Sequence, residues 1–368
     1  MQNKQPPSFY LNNELQFLIA CCQTEPDLGK IRNTESGIEN WEEKVALSAR
    51  HGVLPLIYKT LNTLNTKLQS DSLGTLLSGL KPRYMSTVQK NMLMTAELIR
   101  VMNLLKENDI DALAFKGPAL SQIAYGDITL RQFGDLDILI KKEDMKKVEE
   151  LCISMGYVAY YDLTEVQKDA WYSYTKDMVF YHPKKNSIIE IHWLLLDADY
   201  PLQVNLDTLW GNTEIVEINK QAIQTFDKNT LLLYLCIHGS KHLWERIAWI
   251  KDIDQMIRTQ DINWKNILVD AQKNHFQNML FLGLYLSKSL FNTPLPINVQ
   301  KILESAIILP ELSSLVFKNW EDTLTIFENT KTTLKFFPTL KMKVLYLHKI
   351  ILKPSNNEYR FIDLPREL

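Results

Sequence analysis

The 368-residue chain is poor in glycine (12) and proline (14) and holds only four cysteines. Scarce Gly and Pro, with little low-complexity sequence, argue against long disordered segments. Cys21, Cys22, Cys152 and Cys236 lack zinc-ligand spacing, and an adjacent pair plus two singletons is no disulfide framework. Reduced, mostly buried thiols in a cytoplasmic protein are expected. No apolar run approaches the ~20 residues that span a bilayer. The stretch Phe17 to Cys22 is short and follows Glu14 rather than a basic flank, so no signal peptide is expected. A soluble protein without a membrane partner follows. The net charge of −2 withholds the basic surface that non-specific nucleic-acid binding requires.

What is present is a globular composition, 46% hydrophobic and 23% charged, in a chain long enough for two or three domains. Residues 8 to about 105 read as helices. Apolar positions recur at helical spacing in 41–50 and 53–61, and in a third helix over about 84–108 through Met94, Leu98, Val101 and Leu105. The pattern changes at Ile110. A short apolar run to Phe115 reads as a strand, Lys116-Gly117-Pro118 as a turn, and Pro118 as the first position of a helix to about Tyr125. A second strand, Leu136 to Ile140, leads into a helix over 143–155 that Gly156 ends. Met178–Tyr181 and Ile188–Trp193 read as a hairpin. From Asp227 or Asn229, either able to cap, a helical bundle begins with Leu231–Cys236, Trp249–Ile257, 264–274 and 277–291. The polar tail after Pro354 is expected to be peripheral. The division is 1–106 helical, 107–226 an α+β unit, and 227–368 helical.

Asp135 and Asp137 flank Leu136 at the start of a strand, so both carboxylates share one face. Two like charges so close favour a cation between them, and oxygen ligands suit Mg²⁺ or Mn²⁺. Glu190, between Ile189 and Ile191, offers a third carboxylate from another strand. Three acids on two adjacent strands are a plausible donor set for two such ions, which position an attacking hydroxyl and stabilise a pyrophosphate leaving group. The pair Asp-X-Asp also marks metal-dependent glycosyltransferases.

Phe115-Lys116-Gly117-Pro118-Ala119-Leu120, Tyr125-Gly126-Asp127, Arg131, Gly134-Asp135-Leu136-Asp137-Ile138-Leu139-Ile140 and Glu190-Ile191-His192-Trp193 occur in that order. Together they resemble the uncharacterised bacterial nucleotidyltransferase family of the polymerase-β-like superfamily. The resemblance continues through Leu235–His242 and Trp249–Ile253. It implies a nucleotidyltransferase core with a mixed sheet between helical domains, and metal binding by Asp135, Asp137 and Glu190. It also implies that an NTP is the substrate and that the turn at Gly117 approaches the triphosphate, where a side chain would block the backbone. Pro118 departs from the superfamily pattern of Gly or Ser and offers phosphate neither hydroxyl nor N–H. Lys116 and Arg131 are then the candidate phosphate-binding charges.

His238 and His242 lie four apart with Lys241 beside them. They form a face toward the cleft, a packing face, or a zinc pair without a third ligand; all three residues count as candidate nucleotide-binding groups. His192 and Trp193 are expected to be structural or, for His192, to face the cleft. Asp252 is expected in a buried ion pair or cap, and Trp193, Trp210, Trp244 and Trp249 in the core. The expected reaction moves an NMP group onto an acceptor hydroxyl or phosphate. A nucleotide-sugar glycosyltransferase and a non-catalytic nucleotide- or partner-binding relative are the alternatives.

Overall fold

The computed structural model describes residues 11–35, 41–68, 71–197, 200–322 and 324–352; the expected peripheral tail after Pro354 lies outside them. The chain opens with helices α1 (Asn13–Cys21), α2 (Leu28–Glu35), α3 (Trp41–Arg50), α4 (Leu54–Leu68) and the long α5 (Asp71–Glu107). The middle holds β1 (Ala112–Ala114), α6 (Gly117–Tyr125), β2 (Leu136–Ile140), α7 (Met145–Ser154), β3 (Val158–Ala159) and α8 (Glu165–Tyr174). There follow β4 (Asp177–His182), β5 (Ser187–His192), α9 (Leu206–Gly211) and the strands β6 (Thr213–Ile218) and β7 (Gln221–Phe226). The rest is helical: α10 (Lys228–Lys241), α11 (Ile247–Thr259), α12 (Trp264–Lys273) and α13 (Gln277–Phe291), then α14 (Ile297–Ser305), α15 (Ile308–Glu321), α16 (Ile326–Leu334) and α17 (Leu340–Leu352). Among the described residues no helix is long and apolar enough to cross a membrane.

The long α5 starts earlier than the expected boundary near residue 84 and runs through Pro82. Leu73, Leu76, Leu77 and Leu80 are all buried at helical spacing, and each contributes about 1.5–3 kcal/mol. Their sum exceeds the ~3 kcal/mol that an interior proline costs a helix, and Pro82 lies on the exposed face. Packing wins over propensity here. Other boundaries follow local chemistry. Asp227 caps α10 by accepting from the Asn229 and Thr230 N–H groups at 3.0 and 3.2 Å. Gly156, at φ +87°, takes the left-handed position after α7.

The architecture is α+β. Strand order in the five-stranded sheet is β1-β2-β5-β4-β3, with β2 and β5 parallel and the other neighbours antiparallel. Alternation along each strand decides what faces where. Leu136, Ile138 and Ile140 of β2, with Ile189 and Ile191 of β5, pack with Met94, Leu98 and Val101 of α5. On the opposite face, Leu113, Phe115 and Leu139 join a second core with Leu231, Ile237 and Ile250 of α10 and α11. That core also takes in Leu15, Leu18, Leu61 and Leu80 from the leading helices. The odd-numbered face of β2 and the even-numbered face of β5 therefore look toward α10 and α11.

The hairpin β6–β7 was not foreseen. Its two-residue turn, Asn219-Lys220, has φ of 50° and 65°, the primed geometry that suits hairpins. The alternation in Thr213–Ile218 is the local signal that carries it.

Candidate functional site

The face of β2 and β5 that looks toward α10 and α11 carries polar residues at its open end. There Asp135, Asp137, Glu190 and His192 line a cleft of about 430 Å³. Asp137 and Glu190 are direct neighbours in the parallel register, and Asp177 of β4 pairs with His192 on the other side of β5. Asp137 Oδ1 lies 2.5 Å from Lys116 Nζ and 3.3 Å from His192 Nε2. The same His192 nitrogen is 3.4 Å from Glu190 Oε2, while its Nδ1 is 3.7 Å from Asp177 Oδ2. Asp137 and His192 are each 1% exposed. Neither side chain has an aligned hydrogen-bond partner among the described residues.

A buried carboxylate without hydrogen bonds costs several kcal/mol unless a cation offsets it. Burial alone would raise the Asp137 pKa, but Lys116 and His192 reverse this and hold it well below the usual range. Burial acts on Lys116 in the other sense, and Asp137, with Tyr234 and Asp135, keeps its ammonium charged. Asp135 is half-buried and less well compensated. Burial, then the Asp137 charge, pushes it up to about 6, against the pull of Lys116. Glu190 is held below its ordinary value, burial being outweighed chiefly by His192. The two neighbouring aspartates are thus pushed apart, one firmly ionised and one poised near neutrality.

The facing wall comes from α10, α11 and the turn between them: Tyr234, His238, Lys241, His242, Arg246 and Trp249. The His238 and His242 rings lie 4.8 Å apart, and both meet Trp249, at 5.0 and 5.7 Å. Arg246 stacks over the same Trp249 ring at 5.6 Å. Burial, and then Lys116, drives the His238 pKa well down, so its imidazole is neutral. The turn is held open by Leu243 and Trp244, both at left-handed φ (47° and 50°). Trp244 is wholly buried, against Gly239, where a Cβ would come within 2.5 Å of its ring.

The cleft brings together Lys116, Arg131, Asp135, Asp137, Glu190, His238, Lys241 and His242. Gly117 stands behind the lining, buried at φ +54°, and a Cβ there would meet the Asp135 carbonyl oxygen at 3.2 Å. Its missing side chain thus lets the α6 start sit against the Asp135 backbone. Pro118 occupies the first turn of α6, where an N–H would have no intrahelical partner. Arg131 is engaged: its Nε donates to Asp252 Oδ2 at 3.0 Å, and the Tyr125 hydroxyl donates to Asp252 Oδ1 at 2.8 Å. Asp252 is fully buried, in the ion pair its sequence context suggested.

Several lining residues escaped the sequence reading. Trp249, expected in the core, is half-buried in the cleft wall, whereas Trp193 and Trp244 are core residues. Lys176, Asp177 and Arg246 carried no local motif. Lys176 contacts Asp177; burial, and then Lys241, lowers its pKa to about 8. Only the register of β4 on β5, which sets Asp177 opposite His192, brings this pair to the cleft.

No curated protein matches the chain. Among solved structures, the lincosamide antibiotic adenylyltransferase LnuA, bound to lincomycin, is similar at 15% identity and a TM-score of 0.32, over 45% of this chain and 97% of that one. An antigenic nucleotidyltransferase-like protein from Paracoccidioides brasiliensis is similar at 15% identity and a TM-score of 0.33, over 54% of this chain and 96% of that one. Neither superposition is close enough to carry a residue's role across. The family model described as "Uncharacterised nucleotidyltransferase" matches residues 38–292, and the chain belongs to that family.

Proposed function

We propose that this nucleotidyltransferase moves an NMP group from an NTP onto an acceptor hydroxyl or phosphate, with pyrophosphate released and Mg²⁺ or Mn²⁺ as the supporting cation. The observation that carries the reading is the parallel register of β2 and β5, which sets Asp137 beside Glu190 with Asp135 lining the same cleft. The donor set fits a divalent cation: anionic oxygens dominate, and Asp137 is wholly buried with no aligned hydrogen-bond partner among the described residues. Asp135, Asp137 and Glu190 would hold it. When bound there, such a cation supplies Lewis-acid stabilisation of charge on the transferring phosphoryl oxygens.

The remaining groups bind and orient. Lys116 turns from Asp137 toward phosphate, and Lys241 and Arg131 add positive potential. Trp249, His238 and His242 offer flat rings against which a base stacks, with His238 kept neutral and so free of charge repulsion from Lys241. Cys21, Cys22, Cys152 and Cys236 are buried and form no disulfide among the described residues, which supports the reducing, cytoplasmic setting expected from the sequence.

The test is transfer of label from α-³²P-NTPs to a panel of hydroxyl and phosphate acceptors with Mg²⁺ or Mn²⁺. Asp137→Asn should lose transfer by about 10³-fold or more, since the lost cation stabilisation amounts to several kcal/mol. Undiminished transfer by that variant would refute the assignment.

A further inference from the structure

The cation site proposed above draws on carboxylates alone, yet its most buried uncommitted side chain is an imidazole. His192 is 1% exposed, and neither ring nitrogen has an aligned hydrogen-bond partner among the described residues. A core histidine kept for packing would satisfy at least one nitrogen, because leaving a buried polar atom without a partner destabilises the fold. Nε2 instead points between two acids, 3.3 Å from Asp137 and 3.4 Å from Glu190. One ring N–H has no means of donating well to both. One ligand atom from each of Asp137, Glu190 and His192 lies within 4.8 Å of the other two. Donors around a first-row divalent ion at ~2.0–2.2 Å lie roughly 3–4.4 Å apart, so an inward shift of a few tenths of an ångström closes the set.

The other ring nitrogen completes the pattern. Nδ1 faces Asp177 Oδ2 at 3.7 Å, and the β4–β5 register holds the two residues opposite each other. A metal-bound imidazole is oriented in this way, with its second nitrogen turned to a carboxylate. Phe115, fully buried, packs edge-on against the His192 ring at 5.2 Å and limits its rotation.

We infer that Asp137, Glu190 and His192 form a mixed oxygen–nitrogen site that selects a first-row transition ion over Mg²⁺, with Asp177 as the residue that positions His192 and Mn²⁺ as the paramagnetic probe of the site. The inference rests on the proposed cation site and changes its ligand set and its ion. Imidazole adds little for Mg²⁺, which takes oxygen donors, but adds affinity along the transition series. Lys116 competes for the same Asp137 oxygen and belongs to the cation-free arrangement.

The experiment uses the full chain with Mn²⁺ alone, at matched pH and salt. Continuous-wave EPR counts bound Mn²⁺, and pulsed EPR reads coupling to a ligand nitrogen. The expected result is bound Mn²⁺ with ¹⁴N modulation that disappears when the wild-type protein carries ¹⁵N only at histidine. That comparison needs no variant to fold. His192→Gln should bind Mn²⁺ about 10-fold more weakly or worse and lack the modulation, while His242→Gln keeps it. Asp177→Asn should keep the modulation and lose about 10-fold in affinity; unchanged affinity would remove Asp177 from the site. Mg²⁺ at equal concentration should leave Mn²⁺ in place. Bound Mn²⁺ without histidine modulation, or with modulation that survives in His192→Gln, overturns this inference and leaves the carboxylate site standing. No bound Mn²⁺ at millimolar concentration overturns both.

Discussion

Asp137 and Glu190 are cross-strand neighbours in the parallel pairing of β2 and β5, and Lys116 reaches across the cleft floor to the same Asp137 carboxylate. A buried anion is thus placed where Lys116 makes the closest ion pair with it, and His192 stands 3.3 Å from the same oxygen. The consequences can be measured on the free protein, before any acceptor is known.

Lys116→Met strands the Asp137 charge. Breaking one side of a buried pair costs about 3–5 kcal/mol. The sign with pH follows from Asp137. Its folded pKa is depressed, so its stabilisation is present above the unfolded value near ~3.9 and is lost as pH falls through the folded pKa. Without Lys116, burial raises that pKa instead and the carboxyl protonates as pH drops. Urea unfolding from pH 8 to pH 4 should therefore show a wide gap between wild type and variant that narrows on acidification. A gap independent of pH would count against the pairing.

Asp135 behaves oppositely. Its pKa is raised to about 6, by burial first and then by the Asp137 charge. The linked stability is fully present below the unfolded pKa and is lost as pH rises through about 6. Asp135→Asn should be more stable than wild type at pH 8, by up to ~3 kcal/mol, and no more stable near pH 4. The same variant should bind cation and nucleotide less well, read as a smaller thermal shift with Mn²⁺ and NTP.

The Arg131–Asp252–Tyr125 cluster ties the loop before β2 to α11. Arg131→Gln should cost about 3–5 kcal/mol, and Tyr125→Phe about 1–3 kcal/mol. Both partners act on one buried carboxylate, so the double variant should lose less than the sum. Strict additivity in a double-mutant cycle would show that the two contacts are independent.

Gly117 and Gly126 separate two reasons for glycine. Both have left-handed φ, +54° and +65°, but only at Gly117 would a Cβ meet backbone, the Asp135 carbonyl oxygen at 3.2 Å. Gly126→Ala should cost about 1 kcal/mol from backbone strain alone. Gly117→Ala should cost more and should also reduce cation binding, because the strain is relieved by moving Asp135. Equal effects of the two changes would remove the close approach from the account.

Much of this site was legible because its signals are local. Period-two alternation put Asp135 and Asp137 on one face, and the apolar neighbours Ile189 and Ile191 turned Glu190 the other way from the core. Helical spacing placed His238, Lys241 and His242 together. The pairing of Asp137 with Glu190 was not legible as a register. Alternation states which face a residue takes, not which strand lies beside it, and a parallel pair is set by the packing of the connection between its strands. The same gap hid Asp177, whose partner His192 appears only once β4 lies on β5. Trp249 misled because an aromatic residue at helical spacing among Ile247, Ile250 and Ile253 reads as core. In the structure it borders the cleft instead, against Arg246 and His242. The start of α5 was missed because Pro82 is a local obstacle that distant leucine burial overrides.

The core shared by Leu15, Leu18 and Leu61 with Leu231, Ile250 and Phe276 has a consequence for synthesis. Ribosomes add about 5–20 residues per second, so the apolar faces of α1 and α4 wait on the order of 10 s or more for the helices that cover them. Gln23 Nε2, which donates to the Leu290 carbonyl at 2.8 Å, has no acceptor there until α13 emerges. The leading helices therefore keep apolar surface exposed during translation until α10, α11 and α13 cover it. A message broken before α13 yields a sticky fragment, not a smaller enzyme.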